Sequence, residues 1–289
     1  MKTWNKYKIN QVLKADFPEQ LRKIKNCPEK LYYRGEWDNK IFDKSVAIVG
    51  SRRMTKYGET VVEKFVPELV ANRFCLISGF MYGIDSAVHR TCVEYGGITV
   101  AVLGSGLDEP SVPENDDLYT KILVSGGLVI SEYEKEFKPT LWSFPQRNRI
   151  VSGLSTKGIL VIEAGMKSGS LVTARIAKEQ GKKVYAIPGQ IINGNSEGTN
   201  WLIAENQAKM ILSVEEITNQ REVFKQEDLF ENCDEQEKGI LNLIKLEPLT
   251  IDELARKLEI DIGNLSVKIS MMSLSGKLIE FNGKIYKNG

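Results

Sequence analysis

The chain of 289 residues contains a single histidine, His89, and four scattered cysteines. A Ser-His-Asp triad would have to use that one imidazole. It sits in IDSAVHRTCVEYGG, where Ile84, Val88 and Cys92 fall on one side of a helix, which is the pattern of a packing residue. The cysteines, Cys27, Cys75, Cys92 and Cys233, form no C-x-x-C pair and have one histidine between them, so neither a zinc site nor a disulfide framework is expected. Free thiols and no metal follow. No stretch without Asp, Glu, Lys or Arg is longer than thirteen residues, Tyr95 to Leu107 and Val184 to Ser196. A spanning helix needs about 20 apolar residues, so no membrane segment is expected. The opening MKTWNKYKINQVLKADF is charged throughout and lacks both an apolar core and a small-residue cleavage site, which predicts a cytoplasmic protein. G-x-x-x-x-G-K-[ST] and G-x-G-x-x-G are both missing. ATPase and dehydrogenase readings weaken accordingly, and no cofactor is expected.

Charge is balanced overall, 39 Lys+Arg against 38 Asp+Glu, but uneven along the chain. Residues 1–44 hold 11 basic and 6 acidic side chains and residues 45–215 hold 18 of each. Residues 216–237 hold 8 acidic and 2 basic, without sustained apolar periodicity, and read as an acidic linker. Four parts are therefore expected: an N-terminal extension (1–44) packed on the core, a central domain (45–215), the linker (216–237) and a small C-terminal domain (238–289).

What is present from residue 45 is a series of Val/Ile-rich runs: VAIVG at 46–50, FCLISG at 74–79, ITVAVLG at 98–104, GLVIS at 127–131, GILVIEA at 158–164 and KVYAIPG at 183–189. Such runs barely alternate and are separated by helical stretches, as in a parallel sheet covered on both faces. The fold class is α/β, a doubly wound, mostly parallel Rossmann-like sheet. Ligands of such sheets bind at the carboxyl ends of the strands. There the chain places Gly50-Ser51-Arg52-Arg53 after the first run and Lys167-Ser168-Gly169-Ser170 before a helix. Both can present amides, hydroxyls and a cation to a phosphate. Arg147, Asn148 and Arg149 precede the run at 158. Asp85, Asp108 and Glu163 also follow strands or turns, but no spacing pairs them for acid–base work, and capping or loop fixation is the plainer role.

Taken in order, the motifs DFPEQLRKI with PEKLYYRG, VAIVGSRRMTKYG, SGFMYGIDSAVHR, VAVLGSGLD, FPQRNRIVSGLS, VIEAGMKSGSLVTA, AIPG and EGTNWLIAENQA resemble the DNA-processing protein A family, also called Smf. The resemblance implies an extended Rossmann-like domain that binds single-stranded DNA without sequence preference, protects it and helps load the RecA recombinase, usually as a homodimer and without catalysis. Carried onto this chain, it implies a DNA-binding pocket of Gly50, Ser51, Arg52, Arg53, Arg147, Asn148, Arg149, Lys167, Ser168, Gly169 and Ser170. The rival reading is a nucleotide-processing enzyme of related fold, a phosphoribohydrolase. Its PGG-x-GT loop would correspond to PGQIINGNSEGTNW, where the GT is displaced from the PG.

The N-terminal aromatics Trp4, Tyr7, Phe17, Tyr32, Tyr33 and Trp37 lie beside basic residues, a composition shared by base-stacking surfaces and by cores; core packing is expected. Past the linker, three helical segments and a hairpin signal at Asn282-Gly283 form a winged-helix pattern. The recognition helix of that pattern, 264–275, offers only Lys268 to DNA, which favours a protein-contact or accessory role over duplex reading.

Overall fold

The structure, a computed structural model, describes residues 3–218, 234–246, 248–274, 277–281 and 283–287. Contacts divide the chain into two compact units, Met1–Gln220 and Arg221–Gly289.

The first unit is built on nine strands: β1 (Asn10–Leu13), β2 (Lys30–Arg34), β3 (Ser45–Val49), β4 (Cys75–Ser78), β5 (Thr99–Leu103), β6 (Leu128–Ser131), β7 (Ile159–Val161), β8 (Val184–Ala186) and β9 (Lys209–Met210). Between them run α1 (Glu19–Arg22), α2 (Lys56–Ala71), α3 (Ile84–Glu94), α4 (Asp116–Val124), α5 (Ser143–Leu154), α6 (Gly169–Glu179) and α7 (Glu197–Ala204), with α8 (Glu215–Thr218) after β9. The sheet order is β1-β2-β6-β5-β4-β3-β7-β8-β9. Every neighbouring pair from β6 to β9 is parallel, and β1 and β2 are antiparallel additions beside β6.

Each parallel strand from β3 to β8 is buried on both faces, which explains its continuous apolar sequence. Ala47 and Val49 of β3 pack with Ile150, Val151 and Leu154 of α5 and Ala174 of α6 on one face. Val46 and Ile48 pack with Val62, Phe65 and Leu69 of α2 and Ile84 and Val88 of α3 on the other. The first 44 residues do more than cover this core. β1 pairs with β2, and β2 continues the sheet through Tyr32–Ser131 and Arg34–Val129.

Strand order has one consequence for the site. The parallel part begins at β3, winds outward through β4, β5 and β6, then returns to β7 on the opposite side of β3. The crevice at the carboxyl ends of β3 and β7 is the topological switch point of the sheet.

The second unit contains α9 (Glu235–Leu246), α10 (Ile251–Leu258), α11 (Ile262–Leu274), and the antiparallel pair β10 (Leu278–Phe281) and β11 (Lys284–Lys287). Thr250 and Glu253 close α10 with a reciprocal capping box. Ile240, Leu254, Leu265, Ile269, Met272 and Ile285 belong to its own core. Lys268, the one cation expected to face DNA from α11, is held in an ion pair with Asp234. Of the expected acidic linker, residues 219–233 lie outside the described residues.

Candidate functional site

At the switch point lies a cavity of about 640 Å³. Its first wall is the turn after β3. A Cβ on Gly50 would stand 2.5 Å from the Ile84 side chain, so only glycine lets the chain leave the strand so close to α3. The turn is braced from three directions. The Ser51 hydroxyl accepts from the Arg53 amide at 3.1 Å, the Ile84 amide donates to the Ser51 carbonyl at 3.1 Å, and Asn195 Nδ2 donates to the Arg53 carbonyl at 2.9 Å. Gly83 permits the second contact: its φ is +73°, and a Cβ there would meet the Ser51 carbonyl oxygen at 2.3 Å. A fixed backbone thus presents two exposed guanidinium groups. Neither Arg52 nor Arg53 has a carboxylate partner among the described residues; the Arg52 guanidinium sits 5.4 Å from the centre of the Phe144 ring.

Beyond the turn, Thr55 caps α2 and binds Glu163. The Thr55 amide donates to Glu163 Oε2 at 2.9 Å, and its hydroxyl donates to Oε1. Glu163 is fully buried. This carboxylate, which the sequence leaves open to chemistry, is used to tie the start of α2 to the end of β7.

The second wall is the turn after β7. Ser168 caps α6, its hydroxyl accepting from the Ser170 amide at 3.3 Å and lying 2.6 Å from the Ser170 hydroxyl. Gly165, Lys167, Ser168, Gly169, Ser170 and Thr173 all line the cavity. The positive dipole end of the 11-residue helix α6 therefore faces it. Lys167 is exposed, also without a carboxylate partner among the described residues.

The floor is formed by Gly79, Met81, Asp85 and Arg147. Arg147 is 3% exposed and donates to the carbonyls of Gly79 and Val102. Its Nε donates to Asn148 Oδ1 at 3.3 Å, which places Asn148 at the rim. Asp85 Oδ2 accepts from the Met81 amide at 3.4 Å. Burial pushes the Asp85 carboxyl up to about 6 although Arg147 opposes the shift, and burial lowers Arg147 to about 10. Both press on Gly79, where a Cβ would lie 2.5 Å from Asp85 Oδ2 and 2.7 Å from Arg147 Nη2. Arg147 is thus a fixed floor charge whose hydrogen bonds go to the fold.

Arg149 is not brought to this cavity. It sits two residues after Arg147 on α5, roughly 200° around the helix, and so faces away. There Nη2 pairs with Glu132 at 2.6 Å, and Nε and Nη1 donate to the carbonyls of Asn26 and Gln146, both at 2.8 Å. His89 is buried in the core with Nδ1 2.7 Å from the Thr99 hydroxyl, and burial lowers it to about 3. Asp108 pairs with Arg34 at 2.6 Å. The structure adds Gly79, Asp85, Phe144, Thr173 and Asn195 to the cavity lining. Phe144 adjoins the basic Arg147-Asn148-Arg149 cluster in sequence, but nothing local marks Asn195, which arrives on the loop after β8.

The cavity thus holds three accessible cations, a helix N-terminus and the buried side chains of Asp85 and Arg147. A family model described as DNA recombination-mediator protein A matches residues 8–222. The chain belongs to this family. Protein Smf of Escherichia coli is 39% identical over 217 residues, covering 74% of this chain and 57% of that protein. DNA processing protein DprA of Streptococcus pneumoniae is 39% identical over 216 residues, 75% of each chain. The X-ray structure of DNA processing protein A from S. pneumoniae superposes with a TM-score of 0.68 at 37% identity over 76% of both chains. A solved structure of DNA processing protein A from Helicobacter pylori, described for its single-stranded DNA binding mode, superposes with a TM-score of 0.65 at 30% identity, over 74% of this chain and 95% of that one. The chain therefore spans little more than half of the E. coli family member and nearly all of the H. pylori structure.

Proposed function

We propose that the switch-point cavity grips the phosphates of single-stranded DNA and that the protein acts as a recombination mediator. The observation that carries this is the convergence of Arg52, Arg53 and Lys167, none with a carboxylate partner among the described residues, with the α6 N-terminus on one cavity. A polyanion satisfies all of these groups at once. Gly50 and Ser51 shape the first turn; Ser168, Gly169 and Ser170 supply amides and hydroxyls at the second. Arg147 contributes charge from the floor, with Asn148 at the rim. Arg149 acts indirectly, by holding α5 to Glu132. The substrate assignment is supported by the family and by the H. pylori relative, which binds single-stranded DNA.

In this reading the protein is not an enzyme. It works in the cytoplasm as a homodimer, protects exposed strands and helps load RecA. The second unit is a winged helix used for protein contact, consistent with the neutralisation of Lys268 by Asp234. Among the described residues no helix is long and apolar enough to cross a membrane.

The test is fluorescence anisotropy with labelled oligo-dT and a same-length duplex across a salt series. Arg52→Ala is expected to weaken oligo-dT binding about 10- to 150-fold, since a charge-assisted hydrogen bond contributes about 1.5–3 kcal/mol. The log–log salt slope should flatten by about 0.7 with the lost phosphate contact. Arg52→Lys should rescue only in part, because an ammonium lacks the planar fork. Equal affinity for duplex, or Arg52→Ala binding within about twofold of the parent at two salt concentrations, overturns the proposal. Release of free base from nucleoside monophosphates would favour the phosphoribohydrolase reading instead.

A further inference from the structure

The aromatic residues that the sequence places beside basic ones in the N-terminal segment are largely core: Trp4 and Phe17 are buried, and Trp37 packs against Phe17, Tyr33 and Phe42. A clustered aromatic surface with an exposed ring lies elsewhere, on the loop joining β6 to α5. Tyr133 and Phe137 stack with ring centres 4.4 Å apart and planes 15° from parallel. Trp142 meets both edge-on, at 5.9 Å and 5.8 Å. Trp142 is nevertheless 55% exposed, and Leu141 beside it 93%.

This exposure does not come from a slack loop. The Gly106 amide donates to the Phe137 carbonyl and the Asp108 amide to the Lys135 carbonyl, both at 2.8 Å. Ser143, fully buried, bonds through its hydroxyl to the Gly104 carbonyl and accepts from the Thr140 amide at 3.1 Å. Trp142 is thus pinned between a fixed aromatic pair and the first residue of α5. A rigid, half-exposed indole with an apolar neighbour is a surface that a flat partner covers without displacing anything.

Its position selects the partner. Two residues after Trp142, Phe144 lines the phosphate cavity and lies under the Arg52 guanidinium. The aromatic surface and the cation cradle are therefore consecutive along one short piece of chain. On the loop side stands Lys138, exposed and without an ion pair among the described residues. A backbone held by Arg52 leaves its bases to be placed, and a base has an apolar π-face of the kind an indole accepts.

We propose that Trp142, backed by Phe137 and Tyr133, is a stacking platform for the unpaired bases of the single strand whose phosphates enter the cavity. This rests on the phosphate-binding reading and adds a source of discrimination to it. Phosphate contacts alone do not separate single strands from duplex, whereas a platform needs bases that are free to leave a stack. It is indifferent to sequence, since every base has a π-face.

The test compares oligo-dT with an abasic oligonucleotide of the same length, using the full chain. The wild type should prefer oligo-dT. Trp142→Ala should lose about 5- to 100-fold on oligo-dT while its affinity for the abasic strand stays within about twofold, and Trp142→Phe should keep most of the preference. Arg52→Ala should weaken both ligands alike. Thermal melting checks that Trp142→Ala stays folded. A wild type that binds both strands equally, or a Trp142→Ala variant that keeps the preference, overturns the platform and leaves the cradle standing. A change in oligomeric state by sedimentation, with the preference intact, would assign Trp142 to a protein contact and overturn it too. If the wild type binds neither strand, both readings fall.

Discussion

Arg34 ends β2 in the antiparallel part of the sheet and Arg52 lies in the turn after β3 at the switch point, and both stand beside aromatic rings. On the antiparallel side Arg34 is 4% exposed, and its donors are taken by the fold. Nη2 pairs with Asp108 at 2.6 Å, Nη1 donates to the Leu107 carbonyl at 2.9 Å and to the Tyr119 hydroxyl at 3.2 Å, and Nε donates to the Tyr7 carbonyl at 3.0 Å. Its guanidinium lies over Trp4, which stacks on Tyr119. At the switch point Arg52 has one aromatic neighbour, is exposed and has no carboxylate partner among the described residues. An arginine beside an aromatic ring is therefore no sign of a binding surface. What distinguishes the two is how many donors the fold has already used, because a satisfied guanidinium has none left for a phosphate.

The largest expected effect is on the structural side. Arg34→Ala removes a buried cation and strands several acceptors, so urea denaturation should show a loss of about 3–5 kcal/mol. The protein that remains folded should bind oligo-dT within about twofold of the parent. A stability change below about 1 kcal/mol would break the comparison.

Gly83→Ala tests the switch-point region. It forces a Cβ toward the Ser51 carbonyl at a positive φ and should cost about 1–3 kcal/mol. Because that carbonyl belongs to the arginine turn, oligo-dT affinity should fall as well. Normal binding with reduced stability would show that the turn does not need this brace.

Asp85 gives the comparison a pH dependence. Its carboxyl ionises near 3.8 when unfolded and near 6 in the fold, so between these values the native state holds more protons. Stability from this group is full below about 4 and is lost as pH rises to about 6. His89 runs the other way: its lowered value means stability is lost as pH falls from about 6.5 toward 3. The difference between wild type and Asp85→Asn isolates the first effect. The variant should gain about 1–3 kcal/mol relative to wild type between pH 4 and pH 6, measured by urea denaturation. A difference that is flat with pH would remove Asp85 as a strained floor group.

The smallest effect should come from Arg149→Ala. Its pairing with Glu132 and two carbonyls predicts a loss of about 1–2 kcal/mol in stability, with oligo-dT affinity changed less than about threefold. A loss matching that of Arg52→Ala would place Arg149 in the strand path after all.

The parallel strands were legible because burial on both faces demands unbroken apolar runs, and VAIVG or GILVIEA can be little else. β1 and β2 were not, since NQVL and KLYYR mix polar, basic and aromatic residues as edge-side antiparallel strands do. The turns at Gly50–Arg53 and Lys167–Ser170 were legible as glycine-bearing strand ends carrying a cation. Arg147 and Arg149 were not separable, because two arginines two residues apart look alike until a helix turns one toward the cavity and the other away. Asn195 and Trp142 gave no local signal, as their roles depend on which loops meet.

By itself the sequence determined the buried parallel strands and the glycine turns, since these depend on residue type and local periodicity. Only the tertiary structure decided that β7 returns beside β3, which brings residues 50–53 and 167–170 to one crevice. It also decided that Arg34 and Arg149 are spent on the fold while Arg52 and Lys167 remain available. Local propensity carries no record of strand order or of which carboxylate meets which guanidinium; those are set by long-range packing, where one partner's burial satisfies another's charge.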